Sequence, residues 1–364
     1  MLSINLKYEN CLLDWENLPK LIEQTNHPKN NFSNSGYQLI DILIDYAGLG
    51  NNFISRIGIM HGTFIGMSDV WWKKSEASFR FLNNIFIHNE GDYKRLSTLF
   101  NSKKKFILVP HPFHFLINNY KKTTFIEPEG SVFFLPHGLK STKSNINIFS
   151  IIKVLNNLPQ DYWPIDICLH ENEVNTDLIN LLKENNFGVV SAGSRNDCLF
   201  LHRLYWLSKR RKRSLVAEFG TSAIFSSLLN MEIEFLDQIQ VIRWWPSFSL
   251  GWQSVPEQHY HELLKLFYEK KYNSFEFKNE VKELTGGNLE MTPHDLKNIF
   301  LNAKEEYTKF IYNGNQSFLP PFFYSFIDPF YSKLEGKIKN LFFNNGEYHP
   351  IKSDIIYDLV KSIE

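Results

Sequence analysis

Short apolar runs alternate with helix-like stretches through the middle of the chain. The runs are SVFFL (131–135), DICL (166–169), GVVS (188–191), LVA (215–217) and EIEFL (232–236). Stretches with helical spacing lie at 146–156, 174–185, 197–209 and 222–230. Because strands that alternate with helices build a parallel sheet, this part of the chain is predicted to be an α/β unit. The polar segments that follow the runs are expected to meet along one edge of that sheet.

The first 125 residues predict another α/β unit with fewer strands. Apolar runs occur at 57–60, 85–87 and 105–109, and helical spacing occurs at 37–46 and 91–100. From residue 257 onward the pattern is helical, and MTPHD (291–295) is typical of a helix start with a Thr cap and a Pro at the first helical position. The fold class is therefore α/β. We expect a first Rossmann-like domain at 1–125, a second at 126–312 and a helical tail at 313–364 that packs across both.

Composition and charge narrow the class of partner. The 39 basic and 39 acidic residues give a net charge of zero, whereas a nucleic-acid-binding protein normally carries a basic excess, so no nucleic acid is expected as a partner. The 32 Phe, 16 Tyr and 8 Trp residues indicate large cores, with an aromatic surface for lipid or sugar rings as the alternative. The basic run at 209–213 is interpreted as a helix end or as a contact for anionic lipid.

The cysteines and the apolar runs bear on location. Cys11, Cys168 and Cys198 are far apart and form no CxxC motif, which favours a reducing compartment. Neither a signal peptide nor a membrane-spanning run is predicted. The tail at 318–343 interleaves aromatics and lysines, and it is interpreted as a packed final helix or as an amphipathic element on a membrane surface. We expect a cytoplasmic protein, with peripheral contact at the cytoplasmic face of the inner membrane left open.

The segment EFGTS (218–222) is the clearest candidate for a ligand site. It lies between the run LVA and a helix, so Gly220 lets the backbone approach a ligand while the helix N-terminus offers free N–H groups and a partial positive charge. The hydroxyls of Thr221 and Ser222 add donors. Together these residues predict a phosphate site that needs no metal, and the alternative is that Thr221 or Ser222 only caps the helix. No Walker loop or GxGxxG fingerprint occurs, so ATP and NAD are not indicated.

Another polar segment follows the run SVFFL. It contains His137 and Gly138, and then Ser141, Thr142 and Lys143. The two hydroxyls and the Lys side chain are suited to hold phosphate oxygens, and His137 is suited to donate a proton to a leaving group. The alternative for His137 is a surface position without function.

Two further segments carry candidate nucleotide contacts. His170 follows the run DICL and is expected to contact a ribose or a phosphate, while Glu171 holds the ribose hydroxyls, unless the pair only begins a helix. Gly193, Ser194 and Arg195 follow the run GVVS. Gly193 allows a tight turn against a nucleobase edge. Arg195 is suited to a phosphate or a sugar carboxylate, or else it forms a salt bridge with a nearby acid.

In the first part of the chain, His61 and His114 both follow predicted strands. If the two units face one another, a neutral His at either position is suited to deprotonate an acceptor hydroxyl. Four acidic residues compete for that role, namely Asp41, Asp45, Glu90 and Asp92. No HExxH motif, Asp-x-Asp pair or Cys/His cluster occurs, so no metal or other cofactor is expected.

The order of these segments resembles bacterial glycosyltransferases of the GT-B fold, in particular enzymes that build capsule, O-antigen and lipopolysaccharide chains. The similarity is strongest over 132–236, in the phrase FGVVSAGSRNDCLFLHRLYWLSKRRKRSLVAEFGTSAIFSSLLN. In that family a polar loop, here 137–143, opens the C-terminal domain. An AG-H/S-R turn, here 192–195, then precedes the pattern D-x-x-F-L-x-R-L, here 197–204, and a Gly-Thr/Ser helix start follows at 220–222.

The resemblance implies two Rossmann-like domains that face a cleft, with C-terminal helices. It implies a nucleotide-sugar donor on the C-terminal domain, a glycan or glycolipid acceptor on the N-terminal one, and catalysis without a bound metal. Some members use CMP-activated ulosonic acids, which makes CMP the favoured nucleotide. Those members often have a His-Pro after a C-terminal strand, where this chain has His170-Glu171. A CDP-polyol phosphotransferase of the teichoic-acid type and a non-catalytic nucleotide-binding scaffold remain the alternatives.

Overall fold

A computed structural model describes eleven stretches of the chain. They are residues 39–50, 53–59, 82–100, 104–120, 127–136, 144–145, 147–194, 197, 199–239, 242–243 and 258–312. These stretches contain ten α-helices and ten strands. The described residues up to Lys304 belong to one compact unit, and those from Glu305 onward belong to another.

A three-stranded parallel sheet lies in the first part of the chain. Its strands are β1 (Ile57–Ile59), β2 (Asn84–Ile87) and β3 (Lys105–Leu108), in the order β1-β2-β3. The helices of this part are α1 (Leu39–Tyr46), α2 (Glu90–Leu99) and α3 (Pro112–Tyr120). Alternate residues of a strand face opposite sides of the sheet. Accordingly Ile85 and Ile87 pack with Leu96 of α2, whereas Phe86 packs in the cluster that contains α1 and α3.

A five-stranded parallel sheet follows. Its strands are β4 (Ser131–Phe134), β6 (Ile165–Leu169), β7 (Gly188–Ser191), β8 (Arg213–Val216) and β9 (Glu232–Phe235). Their order across the sheet is β7-β6-β4-β8-β9. Two further short strands, β5 (Ser144–Asn145) and β10 (Ile242–Arg243), pair with each other in antiparallel fashion.

Helices cover both faces of the five-stranded sheet. They are α4 (Ile148–Asn156), α5 (Thr176–Glu184), α6 (Phe200–Lys209) and α7 (Thr221–Leu228). Phe133 of β4 packs with residues of α4 and α5, whereas its neighbour Val132 packs with residues of α6 and α7. A strand that is buried on both faces needs apolar residues at successive positions. This explains why β4 appears in the sequence as an uninterrupted apolar run.

Three helices end the described chain: α8 (Gln258–Tyr268), α9 (Phe275–Leu284) and α10 (Pro293–Tyr312). The beginning of α10 packs on the first sheet, because the ring of Phe300 lies edge-on to Phe86 with ring centroids 5.7 Å apart. Thr292 caps α10 by accepting a hydrogen bond from the Asp295 N–H at 3.1 Å, which confirms the predicted helix start. Within the described ranges, no helix is both long enough and apolar enough to cross a lipid bilayer.

The predicted α/β class and its strands are confirmed. Each of the eight strands that the apolar runs predict is present, and no strand end differs by more than two residues. One helix was not predicted from the sequence, because the segment PHPFH (110–114) contains two prolines and is typical of a turn. The structure instead begins α3 at Pro112. The first helical position tolerates Pro, since the N–H that Pro lacks has no helical acceptor there.

The basic run at 209–213 has a structural role. Lys209 and Arg210 end α6, as the helix-end interpretation predicted. Arg211 then forms an ion pair with Asp166 at 2.7 Å, and Arg213 forms one with Asp161 at 2.8 Å. Because Arg213 begins β8 and Asp166 lies near the start of β6, these pairs lie at the amino edge of the five-stranded sheet.

Candidate functional site

The carboxyl edge of the five-stranded sheet carries the described parts of the predicted site, which follow β6, β7 and β8. The chain builds β6 and β7 on one side of β4, and then returns to build β8 and β9 on the other. The reversal places the segments that follow β4 and β8 next to each other, and open parallel sheets bind ligands at such a point. The segments that follow β6 and β7 lie farther along the same edge. The order of the strands therefore puts the described segments after β6, β7 and β8 along one edge, while the convergence of the whole predicted site stays a prediction.

Gly220 is the N-cap of α7, and the space beside it is open. Its backbone is extended, with φ −176° and ψ −168°, and a Cβ atom added there would meet no described atom within 4 Å. The helix begins at Thr221, so Thr221 and Ser222 lie within it. Its N-cap is a glycine, which has no side chain that could accept a hydrogen bond from the first turn. The alternative that Thr221 or Ser222 caps this helix is therefore wrong. The first N–H groups of a helix have no acceptor within it, so α7 directs these donors and its positive end toward the sheet edge.

Contacts on both sides of α7 fix the position of its N-terminus. The hydroxyls of Ser226 and Ser214 are hydrogen-bonded at 2.7 Å and tie the helix to β8. On the other side, the ring of Phe225 stacks on Phe113 of α3 with ring centroids 4.2 Å apart. Phe219, which immediately precedes Gly220, packs against Phe267 of α8 at 5.1 Å. A segment held this firmly is suited to bind an anion without rearrangement.

His170 and Glu171 lie directly after β6, as predicted. The Nδ1 atom of His170 accepts a hydrogen bond from the Asn172 N–H at 3.3 Å and so caps a single 3-10 turn, Glu171–Glu173. The helix-start alternative is therefore confirmed as the local structure. Because Nδ1 acts as an acceptor, the neutral ring carries its proton on Nε2. Both side chains are partly exposed at the edge of the sheet.

The turn after β7 is more enclosed than the sequence predicted. Gly193 has a φ of +82°, a left-handed conformation that favours glycine, and its N–H donates to the Ser191 hydroxyl at 3.1 Å. Gly193 is buried, and Ser194 has no exposed surface. A nucleotide can reach these two residues only if the segments that cover the turn move away from it.

A buried ion pair, which was not predicted from the sequence, supports this turn. Arg203 of α6 is 2% exposed and pairs with Asp197. Its Nη1 atom also donates to the carbonyl of Ala192 at 3.1 Å. The signal was present in the pattern D-x-x-F-L-x-R-L, because Asp197 and Arg203 are the two charged positions of that pattern.

Three histidines lie at the carboxyl edge of the three-stranded sheet. His88 follows β2 directly, while His111 and His114 follow β3, and the rings of His88 and His111 are 4.9 Å apart. The Nδ1 atom of His88 lies 3.0 Å from the Val109 carbonyl, so it must carry the proton that is shared with that oxygen. Of these three histidines, only His114 was predicted from the sequence to be a site residue. His88 and His111 also stand just after predicted strands, so the same rule could have found them.

The turn after α9 holds His114. Thr285 donates its hydroxyl proton to the Val281 carbonyl at 2.7 Å, so it accepts the hydrogen bond from Nε2 of His114 at 2.8 Å. A Cβ atom added to Gly287 would lie 2.7 Å from Cε1 of the same ring. Helix α9 therefore packs its end against the edge of the first sheet where an acceptor-side histidine was expected.

Burial keeps several of these rings neutral. It lowers the pKa of His88 to about 4, although the hydrogen bond to Val109 acts in the opposite direction. Burial also lowers the pKa of His111 well below its usual value, and the nearby His88 and His114 lower it further. His202 of α6, whose Nδ1 lies 2.7 Å from the Tyr120 hydroxyl, has its pKa lowered by burial to about 4.

Two of the competing acidic residues have local partners. Asp92 is buried and accepts a hydrogen bond from Arg95 at 2.9 Å. Glu90 is exposed and lies 3.7 Å from Lys94. Both interactions lie within α2, so neither carboxylate needs a substrate in order to be paired.

Six predicted site residues lie outside the described residues. They are His61, His137, Ser141, Thr142, Lys143 and Arg195. Their roles stay predictions, and both cations that were proposed for the donor site are among them.

The described edge offers backbone donors, hydroxyl groups and an imidazole, which are groups that bind anions and sugar hydroxyls. Within the part of the chain that the structure describes, no three His, Cys, Asp or Glu side chains are grouped so that they could hold a metal ion. No known protein-family model matches the chain, and no curated protein matches it.

Proposed function

We propose that this chain is a GT-B-type glycosyltransferase that moves a sugar from a nucleotide-activated donor to a surface glycan or lipid-linked acceptor. One observation carries the proposal. The strand order β7-β6-β4-β8-β9 puts a switch point between β4 and β8, directly beside the open N-terminus of α7. The sequence resemblance over 132–236 supplies the reaction class, and the sheet order supplies a place for the donor.

On the donor side, the phosphate is bound by the backbone N–H groups at the start of α7 and by the hydroxyls of Thr221 and Ser222. A leaving phosphate that gains negative charge is stabilised there by fixed dipoles, without a metal ion. Ser141, Thr142 and Lys143 complete the phosphate site from the segment after β4, which adjoins β8 in the sheet.

The nucleoside lies farther along the same edge. His170 presents its Nε2–H to a ribose or phosphate oxygen, and Glu171 accepts from the ribose hydroxyls. The turn at 193–195 contacts the base. CMP is the favoured nucleotide because of the resemblance to enzymes that use CMP-activated ulosonic acids.

On the acceptor side, His61 or His114 takes the proton of the attacking hydroxyl. His114 meets one requirement of this role, because its Nε2–H donates to Thr285 and its proton-accepting atom is then Nδ1. His137 is proposed to protonate the leaving group. Positioning and electrostatics carry most of the catalysis.

A binding experiment tests the donor site. Gly220→Val places a branched side chain in the open space where the phosphate is proposed to lie, while the extended backbone accepts any residue. We expect isothermal titration calorimetry to detect CMP, CDP, UDP or GDP with the native chain, and at least a tenfold loss of that affinity in the variant. Gly91→Val in the first turn of α2 is the matched control, because a Cβ there meets only the Asn89 side chain, at 3.4 Å.

The outcome separates three cases. Binding by the native chain and by Gly91→Val, but not by Gly220→Val, supports the donor site. Equal binding by all three rejects the assignment of phosphate to α7. If no nucleotide binds at millimolar concentration, the glycosyltransferase proposal itself is rejected. Mass spectrometry of a reaction product then tests the transferred group, which must be a sugar and not a polyol phosphate.

A further inference from the structure

Arg203 is a charged side chain of α6 that is buried in the protein. It is 2% exposed, and its partner Asp197 is 8% exposed. Its helix neighbours Trp206 and Leu207 are buried in the large hydrophobic cluster. Moving an ion pair out of water costs more than an apolar pair of similar volume would, so a buried pair is weak evidence for a gain in stability. A gain in stability therefore does not explain why Arg203 and Asp197 form a buried ion pair.

The guanidinium of Arg203 reaches both ends of the turn that follows β7. One nitrogen, Nη1, donates to the Ala192 carbonyl at 3.1 Å, and the other, Nη2, pairs with Asp197. Asp197 in turn donates its backbone N–H to the Ser194 carbonyl at 3.0 Å. The two Nη groups of the Arg203 guanidinium, which diverge like a fork, thus bridge residues 192 and 197.

Local hydrogen bonds also shape this loop. The Gly193 N–H donates to the Ser191 hydroxyl, and Gly193 adopts its left-handed conformation at that point. The contacts of Arg203 add a connection between the loop and α6. A guanidinium can make both bonds because its donors are fixed in one plane, and a lysine ammonium on a single stem cannot reproduce that fork.

We propose that Arg203 is a positioning residue for the nucleotide, which it never touches. It fixes the turn at 192–194 in one conformation, so that the nucleobase meets a backbone that is already ordered once the segments that cover the turn move away. The inference rests on the proposed function, which assigns this turn to the nucleoside. Pre-formed sites avoid the cost of ordering a loop on binding, so loss of the fork is expected to weaken nucleotide binding.

Two variants and one control test the role. Arg203→Lys keeps the charge and removes the fork. The double variant Arg203→Met, Asp197→Asn removes both buried charges, and the Asn oxygen retains the bond from the Leu199 N–H, now 3.2 Å. Arg211→Lys is the control, because Arg211 makes a similar pair with Asp166, at 2.7 Å, at the opposite edge of the same sheet.

Each chain is titrated with CMP, CDP, UDP and GDP, and backbone hydrogen exchange is measured by mass spectrometry on peptides that cover 188–199. We expect both Arg203 variants to bind about tenfold more weakly, the effect of one or two lost hydrogen bonds. Exchange should rise in those peptides but not in peptides from β4 or β6. Arg211→Lys should keep native affinity and native exchange at the turn.

The results distinguish this inference from the proposed function. If the native chain binds a nucleotide and the Arg203 variants bind it equally well, or if exchange rises evenly across the sheet, then Arg203 is only a stabilising residue and the inference is wrong. If the native chain binds none of the four nucleotides, the proposed function fails and the inference fails with it.

Discussion

The neutral state of His88 predicts a specific loss of stability in acid. The unfolded chain takes up a proton on this side chain near pH 6.5, whereas burial lowers the pKa in the folded chain to about 4. The unfolded state therefore binds more protons between these values. The contribution of neutral His88 to the free energy of unfolding is fully present above pH 6.5. It decreases as the pH drops toward 4 and does not change further below that pH.

The size of the effect follows from the two pKa values. Between pH 7.5 and pH 5, the difference in proton uptake at His88 lowers the free energy of unfolding by about 2 kcal/mol. His88→Asn removes the titration and keeps an N–H donor near the Val109 carbonyl, which the His88 ring now contacts at 3.0 Å. The free energy of unfolding of the variant should therefore fall by about 2 kcal/mol less than that of the native chain over this pH range.

Urea unfolding at a series of pH values measures this difference, because the slope of the free energy against pH reports the difference in bound protons. The curves of unfolding free energy against pH for the native chain and for His88→Asn should be parallel above pH 7 and should separate below about pH 6.5. Parallel curves down to pH 4.5 would show that His88 titrates equally in both states, which is incompatible with a lowered pKa in the folded chain.

Two further predictions test the packing around the sites. Gly286→Ala should lower the free energy of unfolding by about 2 kcal/mol or more, because Gly286 has a φ of +68° and an added Cβ would lie 2.3 Å from the His88 carbonyl oxygen; a urea curve that matches the native one would contradict this contact. Cys168 should resist iodoacetamide at pH 8 in the folded chain and react after denaturation, because it is buried and burial raises its pKa to about 12. Peptide mass mapping reads the modification, and rapid labelling of native Cys168 would show that β6 is accessible.

The sheets could be predicted closely because their strands are buried on both faces. Such strands appear in the sequence as continuous apolar runs, and the run at 188–191 matches β7 at both ends. The largest shift is at β8, which starts at Arg213, two residues before the apolar run. Arg213 is polar yet belongs to the strand, because its guanidinium forms ion pairs with Asp161 and Glu232 at the amino edge. A pattern of apolar residues therefore does not predict that β8 begins two residues earlier.

Interactions between distant elements account for what the sequence did not predict. The pattern D-x-x-F-L-x-R-L marks Asp197 and Arg203 as charged positions, but it does not show that Arg203 is buried or that it also bonds to Ala192 outside α6. The contact of His114 with Thr285 joins residues 171 positions apart. Helical periodicity shows that α9 and α10 exist, but it does not show which sheet they cover. Candidate residues at strand ends could therefore be named in advance, whereas the side chains that support them could not.

A crystal structure of the chain soaked with CMP, CDP, UDP and GDP shows directly whether the start of α7 binds a phosphate. We expect a nucleotide along the carboxyl edge of the five-stranded sheet, with phosphate oxygens about 2.7–3.2 Å from the N–H groups at the start of α7. A nucleotide bound elsewhere, or with its phosphate away from Gly220, would contradict this expectation.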